Sequence, residues 1–387
     1  MLRTCLLLLL AAPLAHAQSA FQLPELYSSP QEAETAGAAT LSPTGAPAEG
    51  LLNPALLAGP QGLRASYGGT REWLGLEGTK TSTAGFAYGG ETSLGGLPLT
   101  VGAALTRQEL RFEGIPLTNP EGPDPTTLES DDVVETAYGL GLAARWDGPV
   151  RLAVGATGFA RRSPLPEELD VDNTDPDRAL TVDLGALLAV PVLRANPEPR
   201  AISVPIEVVA GGVRRHMEFW GDYPERAVDG GDVFQSRPLP ETGALGGGVD
   251  LAIARGLGGD AFEIASLDIR VEREWDGVDL PEDYREAYSA DGIRGAADFT
   301  LFETLGSRSG VLWTDGSEQT DRVGNGLSFH VDGLLRAIGT FTDNESLRQT
   351  GEQFGLRFDL TVYEVAEDRD RVFGETFFGG VALSWRP

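Results

Sequence analysis

The stretch Leu267-Asp268-Ile269-Arg270-Val271-Glu272-Arg273-Glu274-Trp275 decides the fold class of this chain. Its apolar side chains fall at odd-numbered positions, and four charged side chains fall at the even-numbered positions between them. Successive side chains of a strand point to opposite faces of a sheet. The stretch therefore predicts a strand that is apolar on one face and charged on the other.

The same alternation recurs along most of the chain. It is clear in residues 150–157, 180–186, 354–363 and 377–386, and it begins near Gly62. We count roughly 14 such segments, with boundaries set to within a few residues. The 50 glycines and 25 prolines are typical of many turns between closely packed strands. The pattern predicts an all-β protein.

The N-terminus has the three parts of a secretory signal peptide. Arg3 supplies the positive region, residues 5–12 the apolar core, and Ala15-His16-Ala17 the cleavage site, so residues 1–17 are the predicted signal. No later apolar run reaches the roughly 20 residues of a transmembrane helix. An exported chain of such strands predicts a transmembrane antiparallel β-barrel in the outer membrane of a diderm bacterium. The alternative is a soluble periplasmic β-protein.

Composition excludes several classes of function. The formal net charge is −28 and Lys80 is the only lysine, so the basic surface of a nucleic-acid-binding protein is missing. Cys5 is the only cysteine and lies in the predicted signal, which leaves no thiol or disulfide in the mature chain. Only His216 and His330 follow the signal, and no phosphate-binding loop is present. We therefore expect no metal, no cofactor and no enzymatic activity.

Tryptophans and link lengths give a second indication of a membrane barrel. Five tryptophans lie at predicted strand ends, where barrels place aromatic girdles at the lipid–water interfaces: Trp146, Trp220, Trp275, Trp313 and Trp385. Short turns and long polar links both occur, as expected of periplasmic turns and extracellular loops. The long links are residues 113–132, 164–177, 220–240, 276–292 and 342–350.

Two groups of residues invite a chemical interpretation. Ser328, His330 and Asp332 would share one strand face, but same-face neighbours are about 6.6 Å apart, whereas a nucleophile and its base need about 2.6–3.2 Å. We interpret them as polar residues of the barrel interior. The acidic loop at 170–177 offers oxygen ligands for calcium, but it lacks the glycine and glutamate of an EF-hand, which favours a solvated loop.

Residues 18–60 differ from the rest of the chain, because they are rich in Ala, Pro, Gly, Ser and Glu and show little alternation. In a barrel such a segment lies in the periplasm or in the lumen as a plug. It contains Asn53-Pro54-Ala55-Leu56. Pro54 pushes Asn53 out of the helical region, and Asn53 is then expected to cap a short turn. This motif is interpreted either as the turn before the first strand or as part of a hatch.

The order Asn53-Pro54-Ala55-Leu56-Leu57, then Leu63-Arg64-Ala65-Ser66-Tyr67, resembles the start of the FadL-type superfamily of long-chain fatty-acid transporters. Tyr67, Trp73-Leu74 and the Gly333–Gly339 stretch, expected to be a late strand, resemble the PorV/PorQ-like barrels. The chain departs from these families at its end, where Trp385 is followed by Arg386-Pro387, and at Pro47-Ala48-Glu49, which stands where the family often has an acidic pair.

The resemblance implies a barrel of about 14 strands over residues 61–387, with residues 18–60 as a hatch inside it. It implies passive transport or binding of hydrophobic small molecules, with membrane lipid and an apolar ligand as partners. A PorV-like accessory of type IX secretion is the alternative, in which loops 113–132 and 220–240 would bind secreted cargo or secretion machinery. A non-transporting structural barrel is the third possibility.

Overall fold

The computed structural model describes most of the chain from residue 30 onward. The described residues are 30–35, 38, 41, 46–59, 61–70, 72, 78–112, 116–118, 127–129, 133–163, 176–222, 226–227, 233–234, 241–258, 261–276, 292–314, 320–367 and 371–386. The predicted signal peptide, the acidic loop at 170–175 and Trp73-Leu74 lie outside these residues.

Fourteen long strands form one sheet in which each strand is antiparallel to both neighbours. They are β1 Gly62–Thr70, β2 Thr79–Leu94, β3 Leu97–Phe112, β4 Val133–Asp147, β5 Arg151–Ser163, β6 Asp177–Leu193, β7 Ile206–Asp222, β8 Thr242–Gly256, β9 Ala261–Asp276, β10 Gly292–Leu301, β11 Leu305–Thr314, β12 Thr320–His330, β13 Phe354–Glu367 and β14 Arg371–Trp385. A short strand, Ile202–Ser203, pairs with the end of β8 at Ala254 and Arg255.

The sheet closes on itself. β1 pairs with β14 from Leu63 opposite Trp385 to Thr70 opposite Phe378. Chain neighbours pair around the rest of the circle, including β7 with β8, where Ile206 lies opposite Leu251. None of these fourteen strands therefore has a free edge, and the expected barrel of about 14 strands is confirmed.

The two faces of the sheet differ as the alternation predicts. In β9, Ile269 and Val271 are 45% and 54% exposed on the outer face, whereas Arg270 and Glu272 on the inner face are 2% and 1% exposed. In β4, Leu140 and Leu142 are likewise exposed, and the residues that alternate with them, Gly139, Gly141 and Ala143, are buried. The barrel is therefore apolar outside and polar or glycine-rich inside.

Because neighbouring strands are antiparallel, links between them alternate between the two ends of the barrel. One end, here called the loop end, carries the links that follow β1, β3, β5, β7, β9, β11 and β13, and these include four of the five predicted long links. The other end, here called the turn end, carries short turns such as Gly95-Gly96 and residues 148–150. Two longer links, residues 194–205 and 331–353, also lie there.

The described residues contain four α-helices and a 3₁₀ helix, and none of these helices is long and apolar enough to cross a membrane. The short ones are α1 Pro30–Glu34, α2 Glu49–Leu52 and the 3₁₀ helix Pro54–Ala58. The longer two, α3 Val331–Phe341 and α4 Glu345–Gln353, form a hairpin between β12 and β13.

This hairpin corrects two expectations from the sequence. The Gly333–Gly339 stretch is not a late strand, and residues 342–350 are not simply a polar link. Leu334, Ile338 and Phe341 recur at the spacing of a helix face. The helical packing of Gly333 and Gly339 against close backbone decides between this pattern and that of a strand. Asn344 then caps α4 by accepting a hydrogen bond from the backbone N–H of Leu347 at 3.3 Å.

Closure predicts that the folded barrel resists dodecyl sulfate until heated and migrates faster than the unfolded chain. Val381→Pro removes a backbone donor in β14, which is paired on both sides with Tyr67 and Phe358, and should abolish the fast-migrating band. Val204→Pro is the matched control, because Val204 lies half-exposed in the 194–205 link outside the ladder. Equal behaviour of the two variants in unheated gels would contradict closure at this seam.

Candidate functional site: the N-terminal segment on the inner wall

The described part of the N-terminal segment lies against the inner face of the barrel on two sides. Helix α1 packs on β11, β12, β13 and β14, and the 3₁₀ helix packs on β2, β3, β4, β5 and β6. Between them, Leu41 packs on Ala189 and Val209, in β6 and β7. The segment therefore contacts much of the inner circumference.

Glycines on the inner wall make room for this segment. A β-carbon on Gly102 would overlap the backbone carbonyl of Leu57. One on Gly324 would overlap the backbone carbonyl of Ala33. A β-carbon on Gly68 would come within 2.8 Å of Pro30, and one on Gly380 within 2.9 Å. These two glycines lie opposite each other in β1 and β14. Helix α1 therefore begins across the seam that closes the barrel.

Apolar side chains fill the contact between the segment and the wall. Leu57 and Ala58 form a buried cluster with three wall alanines, Ala87, Ala104 and Ala143. The segment thus adds apolar side chains to the interior, and here they rest on small side chains of the strands.

The Asn53-Pro54-Ala55-Leu56 motif forms the turn that its sequence predicts. Asn53 is extended, with φ −151° and ψ 113°, and its Oδ1 accepts a hydrogen bond from the backbone N–H of Ala55 at 3.0 Å. Pro54 begins the 3₁₀ helix, and all four residues are buried. Gly185 in β6 lies directly under the Asn53 amide. A hatch role for the motif remains a prediction.

Side chains of the wall bind the segment's backbone carbonyls. Arg64 donates to Leu57 O at 3.1 Å, and Arg215 donates to Leu52 O at 3.0 Å. Sequence reasoning did not connect either arginine with the N-terminal segment. Their positions on inward faces could have indicated such a contact, because a charged side chain inside the barrel needs a partner.

Glu34 makes a buried ionic contact with the wall. Its carboxylate accepts hydrogen bonds from Arg308 Nη1 at 3.0 Å and from the Thr361 hydroxyl at 2.7 Å. Arg308 also pairs with Asp298 of β10. Burial raises the pKa of Glu34, and the Arg308 and Arg357 guanidinium groups oppose that shift. The contact ties α1 to β11 and β13.

Further ion pairs cross the inner wall between strands. Arg270 pairs with Asp250, and Arg294 pairs with Glu274. Arg161 Nη2 lies 3.2 Å from His216 Nδ1. The wall is therefore a polar surface of paired charges, as the barrel interpretation predicts.

The expected separation of Ser328 and His330 is wrong. His330 Nε2 lies 3.1 Å from Ser328 Oγ, because the two inward side chains lean toward each other. Asp332 does not share their strand face, since β12 ends at His330 and Asp332 lies in the first turn of α3. Ser328 is only 5% exposed, which fits a polar wall contact.

The five tryptophans lie at strand ends on the outer face. The direction of their strands places three at the loop end: Trp220, Trp275 and Trp313. The other two, Trp146 and Trp385, are at the turn end. Four of them are between 39% and 51% exposed. Their role as interfacial girdles remains a prediction.

A small cavity lies between the segment and the β1–β14 seam. Its volume is about 10 Å³, and its lining includes Pro30, Ala48, Ser66, Gly68 and Asp359. A buried water needs about 10–15 Å³. This cavity therefore admits about one water molecule and no organic ligand.

No family model matches the chain, and no curated protein matches it by sequence. Among solved structures, the "CymD monoaromatic hydrocarbon channel" is similar with a TM-score of 0.43 and 10% identity, over 93% of this chain and 97% of that one. The TodX deltaS2S3 mutant, also described as a monoaromatic hydrocarbon channel, has a TM-score of 0.43 and 9% identity over 86% and 92%. Outer membrane phospholipase A from Escherichia coli has a TM-score of 0.29 and 10% identity over 86% and 98%. Likeness at these values is too weak to indicate what this chain binds.

Gly102→Ala is expected to loosen the segment, because the new methyl group would overlap the Leu57 carbonyl. Overpacking costs about 1–3 kcal/mol, which corresponds to a change of about 5–150-fold in the undocked population. Cleavage by a glutamate-specific protease at Glu32, Glu34 and Glu49 measures undocking. We expect faster cleavage in the variant.

Gly158→Ala is the matched control, because a β-carbon there meets no atom within 4 Å. It should be cleaved at the wild-type rate. Both variants should keep the fast-migrating band in unheated gels. Equal cleavage of Gly102→Ala and wild type would show that the segment does not rest on this wall.

Proposed function

We propose that the chain is an outer-membrane β-barrel that binds or passively transports hydrophobic small molecules, with residues 18–60 as its hatch. The outer face supports the membrane location. Soluble monomers rarely expose contiguous apolar patches larger than a few hundred Å², yet outward apolar residues are exposed on strands all around this barrel. A closed ladder leaves no unpaired strand edge to face lipid.

The membrane location predicts a depth-dependent cost of charge on the outer face. Leu140→Arg, near the middle of β4, should reduce the free energy of folding into lipid vesicles by about 2–4 kcal/mol. Leu94→Arg is the matched control at the turn end of β2, where the expected cost is about 0–1 kcal/mol. Denaturant titrations of refolding in phosphatidylcholine vesicles measure both. Equal costs would place the outer face outside a hydrocarbon layer.

The seating of the N-terminal segment supports an apolar ligand. Its buried leucines rest on wall alanines and Val209, so withdrawal of the segment would expose an apolar surface inside the lumen. Burial of one leucine side chain is worth about 1.5–3 kcal/mol. An apolar molecule bound at that surface would recover part of this energy. A polar solute would recover none of it. The apolar contacts of the segment are therefore the observation that favours hydrophobic ligands.

The path that we propose requires the hatch to move. With the segment docked, the cavity at the seam is water-sized. An apolar molecule would enter from the loop end, compete with Leu57 for its alanine contacts and leave toward the periplasm after the segment shifts. Once the ligand has left, the segment's leucines and the wall alanines would again face water, and burying them against each other favours reclosure.

A reversible disulfide tests this path, since the mature chain is predicted to contain no other cysteine. The Pro47 β-carbon lies 2.7 Å from the position of a β-carbon on Gly85. A shift of about 1 Å brings the pair Pro47→Cys/Gly85→Cys into the range of about 3.5–4.5 Å that a disulfide spans. We expect oxidation to lock the hatch to β2 and to stop uptake of a hydrophobic fluorescent dye by cells that express the protein.

Reduction of the disulfide in the same cells should restore uptake. In each single-cysteine variant, uptake should be the same with and without the oxidant. Uptake that persists when the disulfide is shown by mass spectrometry to have formed would contradict the hatch. Wild-type uptake no greater than that of cells without the gene would contradict transport and leave the barrel in place. That second result is the one expected of a secretion accessory or a structural barrel.

A further inference from the structure

The α3–α4 hairpin lies along the rim of the barrel at the turn end. Helix α3 starts directly after His330 of β12 and has 11 residues, so it is about 16 Å long. At its far end the Phe341 ring contacts Phe262 in β9, with ring centroids 6.1 Å apart, and Phe302 between β10 and β11, at 5.9 Å. The helix therefore runs beneath the ends of β9 to β12.

One side of α3 is fixed to the barrel and another to α4. Gly333 lies against the backbone carbonyl of Glu303, so closely that a β-carbon would overlap it. Arg336 of the helix pairs with the Glu303 side chain. Gly339 and Gly351 form the close contact between the two helices. Helix α4 itself is polar and exposes side chains such as Gln349.

The remaining side of α3 is apolar and uncovered. Leu334, Ile338 and Phe341 follow one another at helical spacing and are 38%, 42% and 51% exposed. We call these three residues the rim stripe. Phe302, which contacts Phe341, is apolar and 37% exposed. Phe354, at the start of β13 on the same rim, is 43% exposed. The rim stripe thus extends the outer apolar face beyond the strand ends.

We infer that α3 is an interfacial helix whose rim stripe lies in the lipid of the periplasmic leaflet. The inference rests on the proposed membrane location and adds a second, helical contact with the membrane. Continuity with the outer face selects lipid over a protein partner as the occupant. Amphipathic helices at a membrane surface bury their apolar side about 5–10 Å into the boundary between headgroups and acyl chains.

Charged groups around the rim stripe fit that depth. The Arg255 guanidinium lies 5.6 Å above the Phe341 ring, where a lipid phosphate would be within reach of its other face. Polar α4 packs on another side of α3 and would face the periplasm. The hairpin would thus turn its apolar rim stripe to lipid and its polar helix α4 to water.

Single-cysteine spin labels test the inference in proteoliposomes of phosphatidylethanolamine and phosphatidylglycerol. Ile338→Cys and Leu334→Cys report on the rim stripe, Gln349→Cys on α4 and Leu140→Cys on the outer face of β4. The readout is the accessibility of each label to oxygen, which concentrates in lipid, relative to a water-soluble nickel complex. We expect the ratio at positions 334 and 338 to exceed that at 349 several-fold and to be smaller than that at 140.

The label at 140 separates the two levels of the hypothesis. Lipid exposure at 140 with water exposure at 334 and 338 would overturn the interfacial helix and leave the membrane barrel intact. Water exposure at 140 would overturn both. Protection of 334 and 338 from oxygen and nickel alike would show that protein covers the rim stripe and would also overturn the inference.

Discussion

The backbone ladder between β1 and β14 is the constraint on which this structure depends. It removes both edges of the sheet and fixes the number of strands around the circle. A barrel of about eight strands is just filled by its own side chains. Fourteen strands enclose a wider lumen, and here the N-terminal segment occupies much of the wall. Closure therefore creates both the apolar outer face and the interior that needs a second element to fill it.

Most of the barrel could be predicted from the sequence, because alternation reports directly on the two faces of a strand. Ile269 and Arg270 are examples, one outside and one inside as expected. The Asn53 cap was also predictable, since it depends only on its own side chain and on Pro54. In both cases the deciding interaction is local.

Features that depend on distant contacts could not be predicted. The helix at Gly333–Gly339 required a choice between two short apolar patterns, and packing of Gly333 and Gly339 against close backbone settles that choice. The proximity of Ser328 and His330 depends on side-chain rotation, which backbone spacing does not fix. Arg64 and Arg215 acquire their partners from a segment whose position inside the barrel has no signature in their own strands.

The interior arginines also bear on the acidity of the chain. The sequence has 58 acidic and 30 basic residues, yet several arginines are buried on the inner wall. There they neutralise carboxylates such as Asp298 and Glu274 and hold carbonyls of the segment. Part of the chain's positive charge thus lies where an uncompensated carboxylate would be most costly.

The position of Pro30 couples two events in the assembly of the protein. Its ring lies over Gly68 and Gly380, one in the first strand and one in the last, which meet only when the barrel closes. The surface against which Pro30 packs is therefore complete only when the two strands have paired. Closing the seam therefore also encloses the N-terminal segment inside the barrel.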